Sequence, residues 1–205
     1  MVQALAYLKE TTSQTAGPYV HIGPAPGAAG IQIYATELGT DIAGPDARAE
    51  PVRITAVVYD GLGAPVKDAL IEVWQADASG ICPHPEDPRE GQVAQGFRGS
   101  GRLISDFDSG EFAIDTIKPG AVPGRMGSVP TPQPNPWIVS RGSDIGLSTR
   151  IYFPKDATLQ ATDPALSSIE QRVRTATLIA RKTAPGQYRF DIGLQGDRET
   201  VFRDI

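Results

Sequence analysis

Glycine and proline constrain this chain most: twenty-two glycines and eighteen prolines make up nearly a fifth of its 205 residues, against roughly 12% in average usage. Glycine has more backbone freedom to lose and proline lacks an N–H, so both weaken helix interiors. The composition argues against a helical bundle and for a turn-rich β fold. Disorder is the other outcome of such a composition, and 40% apolar and 21% charged residues oppose it, as does clear β-alternation. The length suits one domain with a sizeable core.

Alternation locates the strands. Val52, Ile54, Ala56 and Val58 interleave with Arg53, Thr55, Val57 and Tyr59, a period of two that predicts a strand with a buried face. DGLGAP turns the chain, and ALIEVWQA at 69–76 predicts a second strand whose Trp74, like Trp137 further on, defaults to the core. RLISDF and EFAID predict a hairpin closed by Asp108, Ser109 and Gly110. Further strands are expected at 136–141, 147–153, 175–181 and 187–195, the last alternating Tyr188, Phe190, Ile192 and Leu194. Asp163 before Pro164 predicts the N-cap and first residue of a short helix near 164–171. About eight short strands and one short helix predict an all-β fold over 52–205, an antiparallel β-sandwich or barrel. Residues 1–51 lack this periodicity; GPAPGAAG at 23–30 reads as an extended arm, and the segment is expected to pack on a partner chain. Long proline- and glycine-rich loops at 77–101 and 117–136 flank the middle hairpin, and loops of that length are usually functional or disordered.

Charge and rare residues exclude several partners. A net charge of −5 without a basic block offers nucleic acid no footprint. No apolar run approaches the ~20 residues of a membrane span. The opening MVQALAYLKETTSQ carries no visible secretory signal, and the single cysteine, Cys82, suits a reducing cytoplasm. With His21 and His84 as its two histidines, the chain cannot build a three-histidine metal site.

The local candidates have structural explanations. Asp106, Asp108, Gly110 and Glu111 lack the acid spacing of an EF-hand and read as a turn. The glycines at 96, 99 and 101 precede no Gly-Lys-Ser/Thr, so no phosphate loop follows. Cys82 has His84 two residues on in the same loop, the spacing of a conceivable reactive pair, but without a third orienting group or a second cysteine an incidental thiol is the stronger reading. His21 reads as a hydrogen-bonded structural histidine.

Six segments together resemble the intradiol ring-cleavage dioxygenases: TTSQTAGPYVHIG at 11–23, VVYDGLGAPVKDALIEVWQADASG at 57–80, GFRGSGRLISDFDSGEFAIDTIKPG at 96–120, WIVSRG at 137–142, LSTRIYF at 147–153 and YRFDIGLQGDRETVFRDI at 188–205. The resemblance implies a β-sandwich, which agrees with the alternation. Iron-bearing members hold Fe(III) with two tyrosines and two histidines, donors that suit a ferric ion and let a catecholate chelate it. In this sequence the four ligand positions fall on Arg89, Val122, Gln133 and Asn135. The resemblance therefore implies a chain that binds no iron and works in a cytoplasmic hetero-oligomer beside a homologous iron-bearing subunit. There it would complete a site for protocatechuate (3,4-dihydroxybenzoate) and O₂. It also implies that Thr15, Gly17, Pro18 and Tyr19, in the string TAGPY, and Arg141 face the substrate, with Arg141 supplying the cation a benzoate needs. Four have a structural alternative: Gly17 and Pro18 as a turn of the arm, Tyr19 as packing at a subunit contact and Arg141 as the partner of a carboxylate in its own chain. A non-catalytic transthyretin-like or carbohydrate-binding module is the competing class, and a self-sufficient enzyme with a rearranged site a third.

Overall fold

The computed structural model describes residues 17, 19, 22–23, 26–33, 35, 39, 41–44, 47, 49–124 and 130–203. Its longest strand, β1 (Pro51–Tyr59), follows the alternation closely: Val52, Ile54, Ala56 and Val58 are buried while Pro51 and Arg53 face solvent. Eight more follow: β2 (Leu70–Trp74), β3 (Ser100–Ile104), β4 (Glu111–Ile117), β5 (Asn135–Val139), β6 (Leu147–Ser148), β7 (Arg181–Ala184), β8 (Gln187–Arg189) and β9 (Ile192–Gly193). They form two sheets, one ordered β4-β1-β8-β7 with β9 also on β1, the other β3-β2-β5-β6. One apolar cluster draws on both, taking Ile54, Phe112 and Ile114 from the first and Ile71, Val73 and Ile138 from the second. Ile42 joins it from ahead of β1, held where Gly99 N–H donates to its carbonyl at 3.1 Å and Arg102 N–H donates to Gly39 at 2.8 Å.

Several expectations are revised. The first sheet is mixed: β1 runs antiparallel to β4 but parallel to β8 and β9. Tight turns in the sequence suggest only antiparallel neighbours, whereas β8 reaches β1 after the chain has crossed to the other sheet. The predicted hairpin at 102–115 is a corner between sheets, because β3 pairs with β2 and β4 with β1. Its turn chemistry is as read: Asp106 Oδ1 accepts from Ser109 N–H at 2.7 Å and Ser109 Oγ at 2.8 Å, and Gly110 takes φ +75°. Residues 172–178 form a 3₁₀ turn rather than a strand, since the Thr175 and Thr177 hydroxyls bond back to the Arg172 and Arg174 carbonyls at 2.8 and 2.7 Å. The predicted strand at 187–195 breaks at Phe190–Asp191, where Asp191 Oδ1 takes the Val57 N–H at 3.2 Å. Of LSTRIYF, 147–148 is strand and Tyr152 bridges Ile179 alone.

Asp163 caps the helix as expected, its carboxylate accepting from Ala165 and Leu166 N–H, but that helix spans only Pro164–Ser167 (α2) and follows another four-residue one, Ala157–Gln160 (α1). Pro26–Gly30 is a run of turns, not an extended arm: Gly30 N–H donates to Gly27 at 3.0 Å and Ile31 N–H to Pro26 at 2.8 Å. Trp74 and Trp137 are not core residues, being 43% and 37% exposed. Ile71, Val73 and Ile138 hold the inward positions, so period two turns both indoles onto the outer face of the second sheet.

Candidate functional site

The two proline- and glycine-rich loops meet beside Trp74. Asp77, at the end of β2 and almost fully buried, organises the first: Oδ1 accepts from Ser79 N–H at 2.8 Å and Ile81 N–H at 2.9 Å, and Oδ2 from Ala94 N–H at 3.1 Å. Gly80 (φ +74°) lies against the second loop so closely that a Cβ would collide with the Ala121 carbonyl. Buried Gln75 ties the loops to β4, donating to Ile117 O at 3.0 Å and accepting from Thr116 Oγ1 at 2.9 Å. Between the loops opens a pocket of about 540 Å³ lined by Trp74, Cys82, His84, Arg89, Val122 and neighbours.

All four positions that the resemblance assigns to metal ligands lie in or beside these loops. Arg89 and Val122 line the pocket. Asn135 Nδ2 donates to the Trp74 carbonyl at 3.2 Å and, at 3.5 Å, to that of Gln133, whose own Oε1 is buried without a hydrogen-bond partner among the described residues. Arg89 spans the pocket wall, its Nη2 donating to Gly80 O at 2.8 Å and Asp87 Oδ2 at 3.0 Å, its Nε to Asp87 Oδ1 at 3.1 Å. The Arg89 guanidinium and the Cys82 N–H hold the Asp87 carboxyl down at about 2. This set does not fit a ferric ion. A guanidinium has no lone pair to give, valine has no donor, and the amides of Gln133 and Asn135 are neutral oxygens and N–H groups rather than tyrosinate or imidazole. Nor is Cys82 set up as a nucleophile: burial and the Asp87 charge push its thiol up. His84 stacks obliquely on Trp74, ring centroids 5.5 Å apart.

Arg141 stands elsewhere, just past β5, on a cleft of about 640 Å³ with Lys67, Asp68, Gly142 and Ile145 among its walls. A turn presents it: Ser143 N–H donates to Ser140 O at 3.1 Å, the two hydroxyls lie 2.7 Å apart, and Gly142 takes φ +84°. Its side chain is 61% exposed and touches Asp68, Nε to Oδ2 at 3.5 Å. Tyr19, 74% exposed, and Gly17, open to solvent, are on the surface and line neither cleft. Thr15 and Pro18 lie outside the described residues. Of the expected substrate-facing residues that are described, Arg141 alone lines one of these two clefts. Asp68, Asp77 and Asp87 escaped the sequence reading; Asp-x-Ser-Gly at 77–80 and Asp-x-Arg at 87–89 are the local signals for two of them.

With the geometry in place, the comparisons decide the lineage. A family model described as "Dioxygenase" matches residues 31–196. The protocatechuate 3,4-dioxygenase alpha chain of Pseudomonas putida is 44% identical over 204 residues, covering 97% of this chain and 98% of that one. The chain belongs to the intradiol dioxygenase family. Another relative is the protocatechuate 3,4-dioxygenase beta chain of Burkholderia cepacia, 37% identical over 72% of this chain and 65% of that one. Among solved dioxygenases, the dioxygenase domain of a carbohydrate-binding fusion from Streptomyces sp. SirexAA-E superposes with a TM-score of 0.52 over 79% of this chain and 88% of that domain at 23% identity, a likeness of fold. The loops around Trp74 thus belong to a dioxygenase fold and are tied together by hydrogen bonds of Asp77, Asp87 and Arg89.

Proposed function

We propose that this chain is the iron-free alpha subunit of a protocatechuate 3,4-dioxygenase and acts with a homologous beta subunit that holds the Fe(III). One observation carries the reading: a nearly full-length match to an alpha chain coincides with Arg89, Val122, Gln133 and Asn135 at the four ligand positions. In the complex, the bond between the two hydroxyl-bearing carbons of 3,4-dihydroxybenzoate is cleaved and one atom of O₂ is added to each carbon, giving 3-carboxy-cis,cis-muconate, a step of aromatic-compound catabolism in the cytoplasm.

This chain contributes walls and charge. Arg141 offers the substrate carboxylate the unused Nη fork of a guanidinium that Asp68 holds by Nε. Thr15, Gly17, Pro18 and Tyr19 supply two hydroxyls and a close-approaching backbone from the other side. That Arg141 lines a cleft to which Gly17 and Tyr19 do not contribute supports a site closed across subunits. The two sheets act as a face-to-face sandwich, and residues 1–51 pack on the partner within a larger hetero-oligomer.

The test is to purify the chain alone and with its beta partner, then measure iron per chain and oxygen uptake with protocatechuate. Iron and turnover are expected only in the complex. Stoichiometric iron and turnover in the isolated chain would sink the reading, and failure to associate with any iron-bearing homologue would return the chain to the class of binding modules.

A further inference from the structure

The last described residues form a feature that the dioxygenase reading leaves unused. Arg203 N–H donates to Ser148 O at 2.8 Å in an antiparallel bridge, and Thr149 Oγ1 donates to Val201 O at 2.8 Å. With Arg203 opposite Ser148, period two places Arg150 on the same face, diagonal to Arg203. Two like charges in that relation repel. Yet Arg203 Nη1 is buried with no hydrogen-bond partner among the described residues, and Arg150 reaches only the Tyr152 hydroxyl, at 3.4 Å.

Both arginines line a cleft of about 410 Å³ whose apolar wall includes Ile169, Val201 and Phe202. Among the described residues, the remaining charges around it make no ion pair with either arginine. Arg174 is engaged by Glu199 at 2.7 Å, and Glu170 sits at the exposed edge. Behind Tyr152, Asp163 is saturated by the Tyr152 hydroxyl at 3.2 Å and by backbone N–H groups of Thr131, Ala165 and Leu166 at 2.8 to 3.1 Å. Burial first, and Arg150 second, hold the Arg203 guanidinium below its ordinary value, while burial raises the Tyr152 phenol and keeps it a donor.

We propose that this cleft binds a small organic carboxylate, its oxygens shared between Arg203 and Arg150 and its apolar body against Ile169, Val201 and Phe202. A buried N–H of a charged group left unmade is costly, and a carboxylate supplies the acceptor and the opposite charge together. The apolar wall selects an organic anion over an inorganic one, and the cleft has the size of a small-molecule site.

Benzoate, which has a ring and a carboxylate but no catechol, is the probe, with inorganic phosphate as its comparison. Calorimetry is performed on the complex of this chain with its beta partner, carrying wild type, Arg203→Leu, Arg203→Lys or Arg150→Gln. One benzoate per copy of this chain is expected to bind about tenfold or more weakly in Arg203→Leu, weaker also in Arg150→Gln, and within about threefold of wild type in Arg203→Lys. Benzoate should raise the melting temperature of wild type but not of Arg203→Leu, and kcat and KM for protocatechuate should be the same in both. Without benzoate, Arg203→Leu should melt no lower than wild type, because it removes a half-buried cation whose Nη1 has no partner among the described residues. Equal benzoate binding in wild type and Arg203→Leu would overturn the proposal. So would phosphate binding as tight as benzoate, or a wild-type complex that takes no benzoate and falls apart in Arg203→Leu, the mark of a partner carboxylate already in the cleft.

Discussion

Arg89 and Arg141 carry the same side chain into opposite circumstances. Arg89 is bound through Nε and Nη2, to Asp87 and to the Gly80 carbonyl, and lines a loop pocket. Arg141 touches one carboxylate at 3.5 Å and leaves most of its guanidinium in solvent. A guanidinium whose donors are spent on its own chain is structural; one whose fork is free is available to an anion. This chain ties its long loops with hydrogen bonds, and the contact proposed for the substrate, Arg141, lies at the rim of another cleft.

The sharpest way to break this contrast is at the loop anchor. Asp77→Ala removes the acceptor of three backbone N–H groups from a buried site and leaves them unmade. It should cost about 3 kcal/mol, read as a shift of the urea midpoint. A cost under about 1 kcal/mol would mean that the loops are held by something other than this network.

At the rim the effect should be on binding, not folding. Arg141→Ala in the complex should raise KM for protocatechuate by roughly tenfold or more, the scale of one lost charge-assisted contact, with kcat changed less. A catechol lacking the carboxylate should show little change. An equal rise for both substrates would remove Arg141 from carboxylate recognition.

Acid separates the two regions again. Arg89 and backbone N–H groups hold Asp87 at about 2, below the roughly 3.9 of an unfolded aspartate. A carboxylate depressed in this way contributes stability that is full above the unfolded value and is lost as pH falls through about 2. Chemical-denaturation midpoints measured from pH 5 down to pH 2 should therefore fall more steeply in wild type than in Asp87→Asn. Parallel slopes would show that the Asp87–Arg89 pair carries no part of the pocket's stability.

How much of this was legible in the sequence depends on whether the cause is local. Val52 to Val58 alternate because one strand has one buried face, and the Asp163–Pro164 start needs only its own residues, so both could be read directly. The β3–β4 corner looks like a hairpin because its turn residues are the same; which sheet each strand joins is decided by β1 and β2 far along the chain. The parallel β1–β8 pairing has the same non-local origin. Trp74 misled through its type: a large apolar residue suggests the core, while Ile71 and Val73 had already fixed the inward phase. Of the site, the motifs set a register that assigns four ligand positions by resemblance, and the structure brings two of them, Arg89 and Val122, into one pocket. Asp68 left no signal at all, since it meets Arg141 only because β2 pairs with β5, with β3, β4 and both long loops between them in the chain.

Asp68 gives the smallest and most discriminating prediction. Its contact with Arg141 is long, at 3.5 Å, and its partner is 61% exposed. Exposed ion pairs contribute roughly 0 to 1 kcal/mol, so Asp68→Asn should move the unfolding midpoint little. The carboxylate nevertheless restrains Nε on the side away from the free fork, and without it the guanidinium samples more rotamers before binding. KM for protocatechuate in the Asp68→Asn complex should rise by about two- to fivefold, less than in Arg141→Ala, and the double variant should be no worse than Arg141→Ala alone. A lower KM would mean that Asp68 competes with the substrate carboxylate for the same fork, and additive effects in the double variant would mean that Asp68 acts on the substrate without Arg141.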